Sequence, residues 1–322
     1  MKGFATGHRI FLLHLILFVF CSEVSLGQSI DSAKPRDDKP KGVRVITIPA
    51  STRTKGKRQP EEGQTIDFEL RENGEEQKIL SIRGIGSNPL SLAVLIQDDL
   101  VSEVSNDIPA IREFIKSLPR GSRVMVAYMR GGSLEVRQKF TSDLDHAATT
   151  LRVPIGFQSS APGSPYQQIR EGLKRFESLP TGRRAMLVVS DGLDTRYGLD
   201  STAPGLSLEL DRAIIEAQRR SVAVYSIFAP TVSTRELRNR LLTSNGQGSL
   251  AKLDEETGGR LYSQGLSAPV SFKPFLEEIS EALSRQFAIT YLSTHPKQGF
   301  HRIELKSNRT DIELDYPRGY LY

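Results

Sequence analysis

The stretch Ala185-Met-Leu-Val-Val-Ser-Asp-Gly-Leu-Asp194 decides the fold of this chain. Its first five residues are apolar without alternation, and the apolar run stops at Ser190-Asp191-Gly192. A short unbroken apolar run that ends at glycine is typical of a strand buried on both faces of a parallel sheet. Ligands of such sheets bind outside the carboxyl ends of the strands. The sequence therefore places Asp191 where a binding site would lie.

Strands and helices alternate on both sides of this stretch. The predicted strands are 92–96, 123–128, 185–190 and 222–228, with an alternating edge strand at 134–140. The predicted helices lie near 108–118, 143–151, 166–178, 207–220 and 271–285, with a short helix and a short strand within 250–262. This alternation predicts an α/β fold, a Rossmann-like doubly wound sheet that is mainly parallel and covered on both faces.

The predicted α/β domain, residues 89–286, is flanked by β segments. Residues 43–88 contain alternating strand patterns around the turn Glu72-Asn73-Gly74, and residues 287–322 contain three more strand patterns. Each segment is too short to bury a sheet face alone. We therefore expect the two segments to associate into one small β module.

Residues 1–27 have the features of a secretory signal peptide. A positively charged start precedes an apolar run at 10–20 and a small-x-small cleavage site at 25–27. About eleven apolar residues are too few to span a bilayer. We expect cleavage near Gly27 and a secreted or periplasmic protein, with retention as a membrane anchor as the alternative. Cys21, the one cysteine, would leave with the signal.

Positive charge is concentrated near the start of the expected mature chain. The whole chain has a net charge of +5. Residues 34–58 hold nine Lys and Arg against Asp37 and Asp38, and this basic stretch overlaps the end of a polar linker at 28–42. This composition is typical of a solvated arm. The alternative is electrostatic contact with an anionic membrane or cell-wall polymer. The arm has no interleaved aromatic residues, so we expect no nucleic-acid partner.

Four short motifs occur in a recognisable order. They are Asp67-Phe-Glu-Leu-Arg-Glu-Asn-Gly74, Ser190-Asp-Gly-Leu-Asp194, Glu256-Thr-Gly-Gly259, and Tyr291 with Arg318-Gly-Tyr320. Over residues 42–322 the chain resembles the von Willebrand factor type A family. More narrowly, it is similar to the exported bacterial proteins called VWFA-related, described mainly from Acidobacteria. The resemblance implies a Rossmann-like sheet with helices on both faces.

The resemblance also implies a metal-ion-dependent adhesion site at the carboxyl end of the sheet. That site uses Asp-x-Ser-x-Ser after the first strand, a Thr from a second loop and an Asp from a third. Carried over to this chain, the ligands are Asp98, Ser102, Ser164 in place of the Thr, and Asp191. Leu100 stands where a Ser ligand is expected, so the site is degenerate.

Two interpretations of these aspartates follow. In the structural one, Asp98 or Asp99 caps the next helix, and Asp191 accepts backbone hydrogen bonds in its own turn. In the functional one, a cation binds with water or Gln97 replacing the lost Ser. Mg²⁺ demands near-ideal octahedral geometry, so we expect no resident cofactor. If a divalent cation binds, Ca²⁺ suits an irregular oxygen cage better than Mg²⁺.

Motifs of catalysis are absent from the sequence. It contains no Gly-x-Ser-x-Gly elbow, no phosphate-binding Gly-x-x-x-x-Gly-Lys loop and no His-Glu-x-x-His motif. The histidines of the mature chain, His146, His295 and His301, are dispersed, and we expect His295 and His301 to be exposed. The protein is therefore expected not to be an enzyme.

We expect instead an interaction module that binds a protein or glycan at the cell envelope. The loops at the carboxyl end of the sheet would make the contacts, since binding residues concentrate on loops. Two alternatives stay open: a hydrolase that uses Asp98, Asp99 and Asp191, and a structural envelope protein attached through residues 34–58. The predicted binding loops are 97–105, 156–166 and 191–204, with Asp99, Tyr166 and Asp194 as contact residues.

Overall fold

The computed structural model describes residues 43–54, 66–84, 89–156, 163–231 and 237–321. The predicted signal peptide and linker, and residues 34–42 and 55–58 of the basic arm, lie outside these ranges and stay predictions. Residues 44–54 of the arm form a strand within a sheet, so the interpretation as a solvated arm is wrong for them. Within the described ranges, no helix has the length and apolar character needed to cross a membrane.

Fourteen strands and six α-helices make up the described chain. The first four strands are β1 (Arg44–Thr54), β2 (Phe68–Glu72), β3 (Glu75–Glu76) and β4 (Lys78–Arg83). The next six strands are β5 (Ser91–Gln97), β6 (Arg123–Arg130), β7 (Ser133–Thr141), β8 (Arg184–Ser190), β9 (Ala223–Phe228) and β10 (Leu261–Tyr262). The helices are α1 (Ile108–Lys116), α2 (Leu144–Thr149), α3 (Pro165–Lys174), α4 (Leu208–Arg219), α5 (Leu237–Thr257) and α6 (Lys273–Ser284). The last strands are β11 (Gln286–Ser293), β12 (Phe300–Ser307), β13 (Ile312–Asp315) and β14 (Gly319–Leu321).

The central sheet has the strand order β10-β9-β8-β5-β6-β7. Its neighbours are parallel except for β7, which runs antiparallel to β6 at the edge. Counted from β5, this is the order 3-2-1-4-5-6 of a doubly wound sheet, in which the winding direction reverses between β5 and β8. The predicted fold class and the edge position of residues 134–140 are confirmed.

Successive side chains of β5 point to opposite faces of the sheet, and apolar side chains lie on both faces. Leu92, Val94 and Ile96 pack in one core with side chains of α1, α2 and α6. Ala93 and Leu95 pack in a second core with side chains of α3, α4 and α5. Because both faces are covered, every residue of β5 is buried, which explains the unbroken apolar run.

The two terminal β segments interleave in one module of two sheets. The sheet orders are β13-β1-β11-β4 and β14-β12-β2-β3, so each sheet contains strands from both ends of the domain. Their inner faces share a core that includes Ile48, Leu70, Ile289 and Ile303. The predicted association of the two segments is confirmed.

The β module lies at the amino ends of the parallel strands. Gln286 Nε2 donates to the carbonyl oxygen of Arg184, the first residue of β8, at 3.2 Å. The Ser221 hydroxyl, just before β9, donates to the carbonyl oxygen of Thr47 at 2.5 Å. The loops at the carboxyl ends therefore lie at the opposite end of the parallel strands from the module.

One helix is much longer than its pattern predicts. The sequence indicates only a short helix within 250–262, whereas α5 has 21 residues and begins at Leu237. Asn245, Gly246 and Gly248 lower the helix propensity of its first half. Gly246 lies against Asp191 and Gly248 against Pro204, so packing on the loop after β8, rather than propensity, stabilises this part of α5.

The central position of β11 generates a stability prediction. Ile289 on β11 is fully buried, and its partner in the strand register, Ile82 on the edge strand β4, is 45% exposed. We expect Ile289→Ala to lower the free energy of unfolding by about 3 kcal/mol because it leaves a cavity. Ile82→Ala should lower it by less than about 1 kcal/mol. Urea unfolding of both variants measures this, and equal losses would contradict a central β11.

Candidate functional site

The ends of β5 and β8 define the candidate site. Ile96 is paired with Val189, so the residues that follow leave the sheet side by side at the point where the winding reverses. Ligands of doubly wound sheets bind in the crevice at this switch point. We call the loops around it, residues 97–101, 151–156 and 191–208, the switch-point rim.

Gln97, rather than Asp98, contacts the turn that carries Asp191. Its Oε1 atom accepts hydrogen bonds from the Asp191 amide at 3.1 Å and from the Ser190 hydroxyl. The last residue of β5 is therefore tied to the last residue of β8 through a neutral side chain. The sequence suggested Gln97 only as a replacement ligand.

Asp98 faces the opposite way, toward Arg152. Nη1 and Nη2 of Arg152 lie 2.6 and 2.9 Å from the two carboxylate oxygens of Asp98, and the Ile155 amide donates to Oδ1 at 3.0 Å. Burial alone would raise the pKa of Asp98. The hydrogen bonds from Arg152 and Ile155 outweigh burial and hold the pKa below its usual value.

Arg152 is itself held in place. Its guanidinium lies 4.0 Å from the centre of the Tyr128 ring, and Nη2 is 3.3 Å from Oε2 of Glu135. The hydrogen bonds with Asp98 raise the pKa of Arg152, so it stays charged. The guanidinium of Arg152 thus places a fixed positive charge beside the Asp98 carboxylate, which the resemblance implies is a metal ligand.

The ligand residues that the resemblance implies do not fit a divalent cation. Both oxygens of Asp98 are engaged by Arg152, and Leu100 is a buried apolar side chain. The Ser102 hydroxyl donates to Glu103 at 3.2 Å, and Ser164 is buried at the start of α3 without a side-chain cap bond. Across the described ranges, no three or more His, Cys, Asp or Glu side chains are grouped so as to hold a metal ion.

Asp191 is buried and bonded within its own loop. Oδ1 accepts the Leu193 amide at 3.0 Å, as the structural interpretation predicts, and Oδ2 accepts the Thr231 hydroxyl at 2.8 Å. Burial raises the pKa of Asp191 to about 6, against the lowering effect of these bonds, and the nearby Asp99 carboxylate raises it further. The predicted helix cap does not form: Val101 is the N-cap residue of the short 3₁₀ helix Ser102–Asp107 that precedes α1, and Asp98 is bonded to Arg152.

Two glycines bring α5 into backbone contact with the Asp191 turn. Gly192 has a φ of +68°, and a Cβ there would lie 2.4 Å from the carbonyl oxygen of Gly246. A Cβ on Gly246 would lie 2.0 Å from the carbonyl oxygen of Asp191. The absence of both Cβ atoms lets the helix support the turn directly.

Tyr166 and Asp194 are internal supports of the rim. The Tyr166 hydroxyl donates to the carbonyl oxygen of Gly192 at 2.7 Å, and the Ser207 hydroxyl donates to Oδ2 of Asp194 at 2.6 Å. Both side chains are buried, so the prediction that they contact a partner is corrected: they order the loops. Asp99 is partly exposed.

Apolar side chains are exposed around the switch point. Val153 and Ile155 precede α3, and Tyr197 and Leu199 follow Asp194. Val153 and Ile155 lie outside the predicted binding loops, although apolar residues on both sides of Pro154 are a visible signal in the sequence. The exposed large apolar side chains of these loops and of the start of α4 and α5 are Val153, Ile155, Tyr197, Leu199, Leu206, Leu208 and Leu241. Large exposed apolar side chains on the loops of a switch point suit a binding surface.

Comparisons with known proteins show weak similarities of fold. No protein-family model matches this chain, and no curated protein matches it. One similar solved structure is the conserved hypothetical protein BatB from Bacteroides thetaiotaomicron, with 13% identity over 61% of this chain and 98% of that chain, and a TM-score of 0.43.

Two further solved structures are similar at the same low level. An aerotolerance-related membrane protein from Bacteroides fragilis NCTC 9343 has 12% identity over 61% of this chain and 98% of that chain, with a TM-score of 0.41. The SpRpn10 VWA domain has 13% identity over 57% of this chain and 97% of that chain, with a TM-score of 0.35. Similarities this weak carry no inference about function.

The glycine contact predicts an unusual effect of alanine. In an exposed helix, Gly→Ala stabilises by up to about 1 kcal/mol. Gly246→Ala should instead lower the free energy of unfolding by about 2 kcal/mol, because its Cβ meets the carbonyl oxygen of Asp191. Gly205→Ala is the control, since a Cβ there meets no atom within 4 Å. Urea unfolding compares the variants, and a stabilised Gly246→Ala would contradict the contact.

The raised pKa of Asp191 predicts a pH-dependent stability. Its value of about 6 in the folded protein exceeds the ordinary 3.8, so the folded state binds the proton more tightly than the unfolded state. The contribution of Asp191 to stability is therefore greatest below about pH 4 and falls as pH rises to about 6. Between about pH 4 and about pH 6, the free energy of unfolding of the wild type should fall by about 2–3 kcal/mol relative to that of Asp191→Asn.

Chemical unfolding of wild type and Asp191→Asn across this pH range measures the difference. Other titrating groups are common to both proteins, so they cancel in the comparison. A difference in unfolding free energy that does not change with pH would contradict the prediction.

Proposed function

We propose that this chain is an interaction module that binds a protein partner at the cell envelope through the switch-point rim. The exposed apolar side chains of the rim carry the proposal, with Tyr197 and Leu199 as its most prominent pair. Apolar surface gains free energy when a partner removes it from water. Aliphatic side chains match a protein surface better than the hydroxyl-rich surface of a glycan, which favours a protein.

The support beneath these side chains favours a preformed surface. Arg152 fixes Asp98 and thereby the segment 152–156, while Gly246 supports the Asp191 turn. Loops that are already ordered lose less conformational entropy when a partner binds.

We propose that binding at the rim requires no divalent cation. The strand order, the switch-point position of Asp191 and the Ser190-Asp191-Gly192 turn support descent from a von Willebrand factor A-like domain. The guanidinium of Arg152 supplies the charge that neutralises Asp98, which in that family's site would face a metal. Contacts between side chains would then replace coordination through an ion.

A hydrolase that uses the three aspartates has less support. A general acid or base must reach the proton that it transfers in a bound substrate. Asp98 is paired with Arg152, and both oxygens of Asp191 accept hydrogen bonds within the protein. Attachment through residues 34–58 concerns a segment that lies mostly outside the described residues, and it stays a separate proposal.

The proposal predicts that apolar truncation at the rim weakens partner binding. The immobilised mature protein is incubated with solubilised envelope of the source organism, with and without EDTA, and retained proteins are identified by mass spectrometry. The Kd of a purified retained protein is then measured for wild type and for Tyr197→Ser/Leu199→Ser. We expect at least about tenfold weaker binding by the double variant, since buried aromatic anchors dominate interface energy.

Phe300→Ser is the matched control. Phe300 is 56% exposed and Tyr197 is 57% exposed. Phe300, however, lies on β12 in the β module, at the opposite end of the parallel strands from the rim. Its substitution should leave the Kd unchanged. Equal binding by wild type and the double variant would refute the rim as the binding surface. Loss of binding in EDTA would refute the cation-independent mode.

A further inference from the structure

A buried carboxylate occupies the polar centre of the β module. Glu72, the last residue of β2, has no exposed surface. Its Oε1 atom accepts hydrogen bonds from the Ser293 hydroxyl at 3.0 Å and the Tyr320 hydroxyl at 2.9 Å, and it lies 2.7 Å from Nδ1 of His301. Three side chains from three other parts of the chain thus converge on one oxygen atom.

His301 lies between two hydrogen-bond acceptors, Glu72 and the Lys297 carbonyl, and its Nδ1 atom is also 3.4 Å from Nδ2 of Asn73. Its Nε2 atom is 2.8 Å from the backbone carbonyl oxygen of Lys297, which can only accept, so Nε2 carries a hydrogen. A neutral imidazole has only one N–H, so Nδ1 would then present a lone pair to Glu72. A contact of 2.7 Å between that lone pair and a carboxylate requires one additional proton, on Nδ1 or on the carboxyl group.

A second imidazole faces the same carboxylate. Nδ1 of His295 is 3.6 Å from Oε1 of Glu72, and Nε2 is 3.4 Å from Oε2 of Glu75. The ring centres of His295 and His301 are 6.1 Å apart. The prediction that both histidines are exposed is therefore wrong for His301, which is buried, while His295 is partly buried.

The cluster joins the two sheets of the module. Glu72, His301 and Tyr320 belong to β2, β12 and β14 of one sheet. Ser293 ends β11 in the other sheet, and His295 follows it. Hydrogen bonds to Glu72 therefore connect the end of β11 to the opposite sheet.

Further charged and titratable groups face the cluster. Burial raises the pKa of Tyr320, so its hydroxyl stays a donor, and burial likewise raises the pKa of Tyr291. The Arg44 guanidinium donates to the backbone carbonyl oxygen of His295. The described groups that face the cluster are Arg44, Glu75, Tyr291, His295 and Tyr320, in addition to Glu72 and His301.

We propose that this cluster is a proton-dependent clasp, in which a proton shared by Glu72 and His301 keeps the two sheets of the β module closed at the end of β11. Loss of that proton to solvent leaves a carboxylate facing an imidazole lone pair in a buried site. The repulsion and the unmet hydrogen bond favour separation of β11 from β2 and β12. The closing contribution is present when the pair holds its proton and is lost as pH rises.

Glu72→Gln tests the clasp because it keeps the shape of the side chain. An amide N–H can donate to Nδ1 of a neutral His301, so the contact no longer needs a shared proton. Backbone hydrogen exchange at β2 and β11 is measured in wild type and Glu72→Gln between about pH 5 and pH 9, the range in which histidines titrate. EDTA is present throughout, and taking the ratio of the two proteins at each pH removes the intrinsic pH dependence of exchange.

We expect local opening of the wild type relative to Glu72→Gln to increase about tenfold per pH unit through the range in which one proton is lost. His146→Gln, at an exposed histidine of α2, should behave like wild type. An opening ratio that does not change with pH would overturn the clasp.

A second measurement holds even if Glu72→Gln does not fold. The ¹⁵N shift of His301 Nδ1 and the ¹³C shift of the Glu72 carboxyl group in wild type report where the proton lies. We expect one of the two groups to be protonated while β11 is protected, and both to lose the proton as protection falls. Protected β11 with both groups unprotonated would overturn the proposal.

Discussion

The parallel pairing of β5 with β8 is the constraint on which the rest of the structure depends. Both strands are buried on both faces, so their backbone hydrogen bonds and apolar side chains hold the centre of the domain. The chain winds in opposite directions from these two strands, and their loops diverge at the carboxyl ends. The same pairing thus forms the core and places side by side the two strand ends that Asp98 and Asp191 follow.

The charge of the aspartates at these strand ends is balanced within the chain. Asp98 is neutralised by Arg152, and Asp191 is sequestered by burial and by bonds from Leu193 and Thr231. A buried carboxylate is unfavourable unless a cation or hydrogen-bond donors compensate it. Here protein groups supply that compensation, which orders the loops and leaves their apolar side chains facing outward.

The β module, at the amino ends of the parallel strands, also contains a buried carboxylate that protein groups compensate. Its sheets need strands from both ends of the domain, so neither terminal segment can bury its apolar face alone. Glu72 lies at the junction of the two sheets, where hydroxyl and imidazole groups from the C-terminal segment surround it. Closure of the domain ends thereby depends on polar contacts as well as on the apolar core.

The sequence by itself determined the fold class, the central strands and the strand end that Asp191 follows, because local apolar periodicity reports burial directly and Ser190-Asp191-Gly192 marks a strand end. Only the tertiary structure decided the partners of Asp98, the burial of Tyr166 and His301, and the length of α5. Arg152 lies 54 residues from Asp98, and Gly246 is distant in sequence from the turn that it supports. Such contacts depend on how the elements pack, which local patterns do not encode.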